Sequence, residues 1–184
     1  MVLTPTTQIP LGFKAPSFKL FNPVLNINQS LDELKSDKAT LIIFMCNHCP
    51  YVIHVLDGLI QLSNEYLAKN VSIIAINSND EINYPDDSPE KMIDLVNDNV
   101  IPFPYLFDET QNVAKAYKAA CTPDFSIFNK NMECVYRGQM DDSRPGNLIP
   151  VTGQDLRLVL DNLLIGKEIN NFQKPSVGCN IKWK

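Results

Sequence analysis

Cys46 and Cys49 stand two residues apart, with Asn47 and His48 between them. On the first turn of a helix such a pair shares one face, close enough for a reversible disulfide and close enough to share a proton or a metal ion. The spacing alone is permissive, and the flanks sharpen it. Residues 40–45 form a continuous apolar run of the kind that makes a strand covered on both faces, and it ends directly at Cys46. Beyond Cys49, the apolar residues Val52, Val55, Leu56, Leu59, Ile60, Leu62, Tyr66 and Leu67 recur at helical spacing up to a stop at Asn70. A dithiol between a buried strand and a long amphipathic helix has the setting of a redox pair.

Asn47 reads as the N-cap of that helix, with Pro50 inside the first turn, where its missing N–H has no intrahelical partner to lose. Cys46 is then expected at the positive end of the helix as an exposed nucleophile, its pKa depressed into the roughly 3.5–7.5 range of such sites. His48, when protonated, adds a charge of the right sign, and Cys49, one turn deeper, is expected to resolve the mixed disulfide that Cys46 forms. Two other readings use the same residues. Both cysteines are small enough to be simple buried core residues. Alternatively, Cys46, His48, Cys49 and His54 offer two sulfurs and two imidazoles to a metal. On a helix, however, His54 points roughly 140° away from Cys49, so no metal and no cofactor is assigned.

The elements around the dithiol alternate. Residues 71–76 read as a second buried strand and residues 77–87 as an acidic loop. Ser88 and Pro89 cap a helix running to about Asn99. A short strand at 105–107, a helix near 112–119, a hairpin pairing 125–128 with 133–137, and a last amphipathic helix at 154–164 follow. This order predicts an α/β fold, a mixed central sheet with helices on both faces. The chain is expected to be one domain over 1–184, with a core of about 37–165, an N-terminal elaboration at 1–36, and a tail at 166–184. The tail carries Trp183 and is expected to lie across the surface.

Composition limits the partners. With 16 Lys and Arg against 21 Asp and Glu, the net charge of −5 repels phosphate backbones, so nucleic acid is not expected. The 45% hydrophobic and 20% charged fractions are those of a globular chain. No apolar run approaches the roughly 18 residues of a membrane span, and residues 1–10 lack the basic-then-apolar pattern of a leader, so a cytoplasmic location is expected. Five scattered cysteines are not the even, dense pattern of a disulfide scaffold.

Three motifs carry a resemblance: Gly12-x-x-Ala15-Pro16-x-Phe18, Phe44-Met45-Cys46-Asn47-His48-Cys49-Pro50-Tyr51, and Thr122-Pro123-Asp124 ahead of a strand. The chain resembles the thioredoxin superfamily, specifically its redoxin or peroxiredoxin-like branch, related to alkyl hydroperoxide reductase and thiol-specific antioxidant proteins. The resemblance implies a thioredoxin-like fold and an oxidoreductase acting on a protein or small-molecule thiol or disulfide, as monomer or homodimer. Pro123 would match the cis-proline facing the dithiol, which implies that the Thr122 backbone is free to pair with a substrate chain. Cys121 would then lie close by as a third thiol. Two departures stand out. Met45 and Thr40 occupy the places where thioredoxin-type enzymes carry Trp and a buried acid, which leaves proton handling open. Ala39 and Ile43 stand where peroxiredoxins carry Pro and Thr, so a peroxidase with Cys46 as peroxidatic residue is the alternative, with hydroperoxides as its substrates. An alternative of another class is a non-catalytic redox-sensing or metal-binding module. Arg137 and Arg144 are read as solvated surface residues, and the acidic pairs Asp80-Glu81, Asp86-Asp87 and Asp141-Asp142 as solvated turns.

Overall fold

The structure is a computed structural model and describes residues 3–184. In chain order its elements are β1 (Leu3–Pro5), β2 (Lys19–Asn22), β3 (Ile27–Ser30), α1 (Leu31–Leu34), β4 (Ala39–Phe44), α2 (Pro50–Leu67) and β5 (Val71–Asn77). They continue with α3 (Pro89–Asn99), β6 (Tyr105–Phe107), α4 (Asn112–Ala116), β7 (Cys121–Thr122), β8 (Asp124–Asn129), β9 (Cys134–Gly138), α5 (Gln154–Leu164) and β10 (Val177–Asn180).

The apolar run after Lys38 becomes β4, buried at every position, because it lies in the interior of a seven-stranded sheet ordered β3-β2-β6-β5-β4-β8-β9. β4 pairs parallel with β5 and antiparallel with β8, and β5 pairs parallel with β6. Successive side chains of a strand face opposite sides. Leu41 and Ile43 therefore join one apolar cluster with α2, α3 and α5, whereas Ile42 and Phe44 join another with Leu31 of α1 and Ala114 of α4. This is the thioredoxin-like arrangement, a mixed sheet with helices on both faces.

Local chemistry ends the helices where the residues suggest. Asn70, just past α2, takes φ +61, and the Ser88 hydroxyl accepts from the Lys91 N–H at the start of α3. Among the described residues, no helix is long and apolar enough to cross a membrane.

The tail departs from expectation. It does not lie across the surface: β10 inserts between β1 and β7 in a second, three-stranded sheet ordered β1-β10-β7, and Gly178, Cys179 and Ile181 are buried. Two glycines permit this. A Cβ on Gly178 would lie 2.0 Å from the Thr122 carbonyl oxygen, and one on Gly138 would lie 2.3 Å from that of Lys174. Only a residue without Cβ allows backbones so close. Trp183 does reach solvent, with the Lys115 ammonium 5.8 Å from its ring centre.

Candidate active site

The dithiol is placed by β4 and α2, but α2 begins later than expected. Pro50 disfavours a helical conformation at the residue before it, and Cys49 accordingly takes φ −72 and ψ 120. Cys49, not Asn47, is therefore the N-cap, with Pro50 at the first helical position. Cys46 sits three residues before this point in the turn leaving β4. The positive end of the helix thus faces Cys49 rather than Cys46.

Both sulfurs are buried, Cys46 at 1% exposure and Cys49 at 0%. Expectation had Cys46 exposed and acidic. The two thiols interact, with opposite effects on their acidities. The Cys46 pKa is pushed well up by the bond to Cys49, by burial and by the Asp87 carboxylate. The Cys49 pKa is pulled down, first by the bond from Cys46 and then by bonds to Cys179 and Thr122. Cys46 Sγ also lies 3.3 Å from Thr122 Oγ1, and Cys49 Sγ lies 3.2 Å from the Thr122 carbonyl oxygen.

Asp87 departs from the solvated turn expected of it. Asp86 is indeed exposed, but Asp87 is at 0% exposure beside the dithiol. Its carboxylate accepts from the Asn47 N–H at 2.7 Å and from Asn79 Nδ2 at 2.7 Å. His48 Nδ1 lies 2.7 Å from Asp87 Oδ2, an ion-pair distance without the alignment of a hydrogen bond. The His48 ring stacks on Tyr84, centroids 5.9 Å apart, and its side chain keeps 26% exposure. The Tyr105 hydroxyl bonds Asn47 Oδ1 at 3.0 Å and the Met45 carbonyl at 3.3 Å, which holds the turn. Asp80 and Asp141 are buried as well, each accepting from backbone N–H groups, Asp80 within its own turn and Asp141 both there and from Gly153 at the start of α5, so these acids shape loops rather than decorate them.

Among the described residues, the atoms grouped so that they could hold a metal are Cys46 Sγ, a His48 ring nitrogen and an Asp87 carboxylate oxygen, all within 4.8 Å of one another. His54 is not among them, because it faces away and bonds Ser143 Oγ at 2.7 Å. Beside this cluster, Asn47 and His48 border an open depression with Asp86, Lys91 and Asp94.

The Thr122–Pro123 bond is cis. The Thr122 backbone is not free for a substrate chain, because β10 pairs antiparallel with it, Cys179 opposite Thr122 and Asn180 opposite Cys121. The Ser176 hydroxyl closes on the Pro123 carbonyl at 2.6 Å. Cys121 is not the third thiol of the cluster either. Side chains of β7 alternate, so with Thr122 turned to Cys46, Cys121 turns to Thr6 Oγ1, 3.9 Å away. Burial and Asp124 push the Cys121 thiol up. The third sulfur at the dithiol belongs to Cys179, 2.9 Å from Cys49 Sγ. All five cysteines are thiols, and Cys134 lies in the cluster on the opposite face, pushed up to about 12 by burial.

Arg137 is not a surface residue: at 2% exposure it pairs with Asp124 at 3.1 Å and donates to the Thr7, Tyr117 and Lys118 carbonyls. Arg144 is half-buried and bonds Gln139, Asp141 and Ser143. Neither arginine bonds a cysteine sulfur among the contacts described.

The Redoxin family model matches residues 10–154. The chain belongs to the Redoxin family. A thiol redox function, in general terms, goes with that membership. This Redoxin-family chain is 55% identical to an uncharacterised conserved protein from Geobacillus kaustophilus, covering 100% of this chain and 97% of that one with a TM-score of 0.98. It is 41% identical to a hypothetical protein from Sinorhizobium meliloti, covering 98% of each with a TM-score of 0.96. The thioredoxin domain of a thiol-disulfide oxidoreductase from Bacteroides vulgatus shares the fold at 14% identity and a TM-score of 0.65, over 83% of this chain and 99% of that domain. No curated protein matches the chain.

Three residues at the centre of this candidate site escaped the sequence: Asp87, Tyr105 and Cys179. For Cys179 a signal existed, since an isolated Gly in a strand-like stretch, Val177-Gly178-Cys179, marks close backbone approach. Nothing local separates Asp87 from Asp86.

Proposed function

We propose that this chain is a thiol-disulfide oxidoreductase with Cys46 and Cys49 as its redox pair, acting on a protein or small-molecule disulfide. One observation carries the reading. Both sulfurs are buried between β4 and α2 and converge on Thr122, Cys46 Sγ 3.3 Å from its hydroxyl and Cys49 Sγ 3.2 Å from its carbonyl oxygen.

Cys46 is the nucleophile, because its sulfur lies within 4.8 Å of the His48 and Asp87 ligand atoms, whereas Cys49 contacts Cys179 of β10. For attack Cys46 gives up its proton, and the His48–Asp87 pair beside it is the acceptor in reach. The Cys46 thiolate then bonds one sulfur of the substrate disulfide and expels the other as a thiolate. Cys49 attacks Cys46 Sγ, releases the second substrate thiolate, and leaves a Cys46–Cys49 disulfide. Two electrons pass from the dithiol to the substrate, and the reverse sequence oxidises a dithiol substrate. Thr122 and Pro123 form the wall beside the reacting sulfurs.

Thiol counting with peptide mapping, before and after one equivalent of oxidised glutathione, tests this in wild type and Cys49→Ser. A reversible Cys46–Cys49 disulfide in wild type and a glutathione adduct retained on Cys46 in the variant are the expected results. Thiols that stay unreactive in the folded protein overturn the reading.

A second reading, metal binding, is favoured by the mixed sulfur, nitrogen and oxygen set of Cys46, His48 and Asp87. Zinc bound one to one by the reduced protein, lost in His48→Ala, with no disulfide exchange, is its signature.

A further inference from the structure

We infer that Cys179 is a third redox-active residue, which takes the disulfide over from the Cys46–Cys49 pair and returns Cys46 to the thiol state. The inference rests on the oxidoreductase reading above, because it needs that reading's disulfide as its starting point.

Three observations carry it. Cys179 Sγ lies 2.9 Å from Cys49 Sγ, and a disulfide bond is about 2.05 Å, so the sulfurs need to close by less than an ångström. The approach is built into the backbone. Cys179 sits opposite Thr122 in the β10–β7 ladder, and Gly178 lets the strands meet so closely that a Cβ would fall 2.0 Å from the Thr122 oxygen. That same Thr122 carbonyl receives the Cys49 thiol, so one residue aligns both sulfurs. Cys49 thereby touches two other cysteines, one in the turn after β4 and one in the tail, and a sulfur so placed can exchange partners without either strand leaving the sheet.

The step balances internally. The Cys179 thiolate attacks Cys49 Sγ of the Cys46–Cys49 disulfide, the Cys46–Cys49 bond breaks, and the Cys49–Cys179 bond forms. Cys46 leaves as a thiolate and takes up the proton that Cys179 gave up. Cys179 is oxidised and Cys46 reduced, so no external oxidant is required beyond the substrate disulfide of the first reaction. Cys46 is then ready for a second substrate while the first oxidation is stored between α2 and the tail.

The test is a disulfide map of the wild-type protein after one equivalent of oxidised glutathione, quenched in acid at successive times, with fragmentation locating each bond. The expected result is a Cys46–Cys49 disulfide giving way to a cross-link between Cys49 and Cys179, with two thiols lost. In Cys179→Ser the cross-link is absent and the Cys46–Cys49 disulfide persists. A wild-type map that shows the Cys46–Cys49 disulfide alone at all times overturns the relay and leaves the oxidoreductase reading standing. A map with no disulfide among the three overturns both.

Discussion

Replacing Gly178 with alanine tests whether the tail strand is what seals the dithiol. The added Cβ would lie 2.0 Å from the Thr122 carbonyl oxygen and 2.7 Å from its carbon, roughly 1.4 Å short of ordinary contact at 3.4 Å. Both obstructing atoms are backbone in a paired strand, so no side chain can rotate away, and β10 must lift from β7. Overpacking of this kind costs about 1–3 kcal/mol. If the cost falls on the β10–β7 closure, the open population rises roughly 5- to 140-fold, at a factor of ten per 1.4 kcal/mol. The reduced protein is treated with a small alkylating agent, and modification of Cys49 and Cys134 is followed by peptide mapping. Cys134 is the internal control, because it is buried on the other face of the sheet. Gly178→Ala is expected to raise Cys49 alkylation by that factor, leave Cys134 unchanged, and lower Tm by about 2–12 °C. Equal acceleration at Cys134 means global rather than local opening and refutes the reasoning. Unchanged Cys49 reactivity with unchanged Tm refutes it as well.

Other residues give separate tests. Arg137→Met strips the guanidinium from Asp124 and leaves that carboxylate buried and unpaired; the expected loss in urea denaturation is about 3–5 kcal/mol at neutral pH. Burial already pushes the Asp124 carboxyl up to about 6 despite Arg137. Without Arg137 that pKa rises further, so the variant's Asp124 takes up its proton at a higher pH than the wild type's; the loss should therefore shrink as pH falls towards about 6 and level off below it, and a loss constant from pH 9 to 6 contradicts the assignment. Tyr105→Phe removes the donor to Asn47 Oδ1 and Met45 O, and about 1 kcal/mol of stability is expected to go with it in the same assay. No measurable change there means that the turn carrying Cys46 is held by Asp87 alone.

The framework of the fold was legible because burial writes itself into periodicity. An apolar run such as 40–45 has no stable place except a strand covered on both faces, and the spacing of Val52, Val55, Leu56 and Leu59 commits one helical face to the core. The dithiol was legible for the same reason: spacing along the chain is a local property, and so is the placement of Cys46 at a strand end. Even the late start of α2 was written locally, since Pro50 restrains Cys49 whatever the rest of the chain does.

Contacts between distant segments had no such signature. Asp87 and Asp86 are identical in type and adjacent, and only the packing of the loop after β5 against the turn after β4 buries one and exposes the other. Arg137 reads as a surface charge until β8 and β9 bring it to Asp124 across the hairpin. Cys121 was the expected third thiol, and strand alternation in β7 turned it away while the pairing of β10 brought Cys179 within 2.9 Å of Cys49 instead. Sequence by itself determined that a closely spaced cysteine pair stands between a buried strand and a helix. Which charges and which third sulfur surround it was decided by tertiary structure, because those neighbours are 40 to 130 residues away along the chain and meet only when the sheets close.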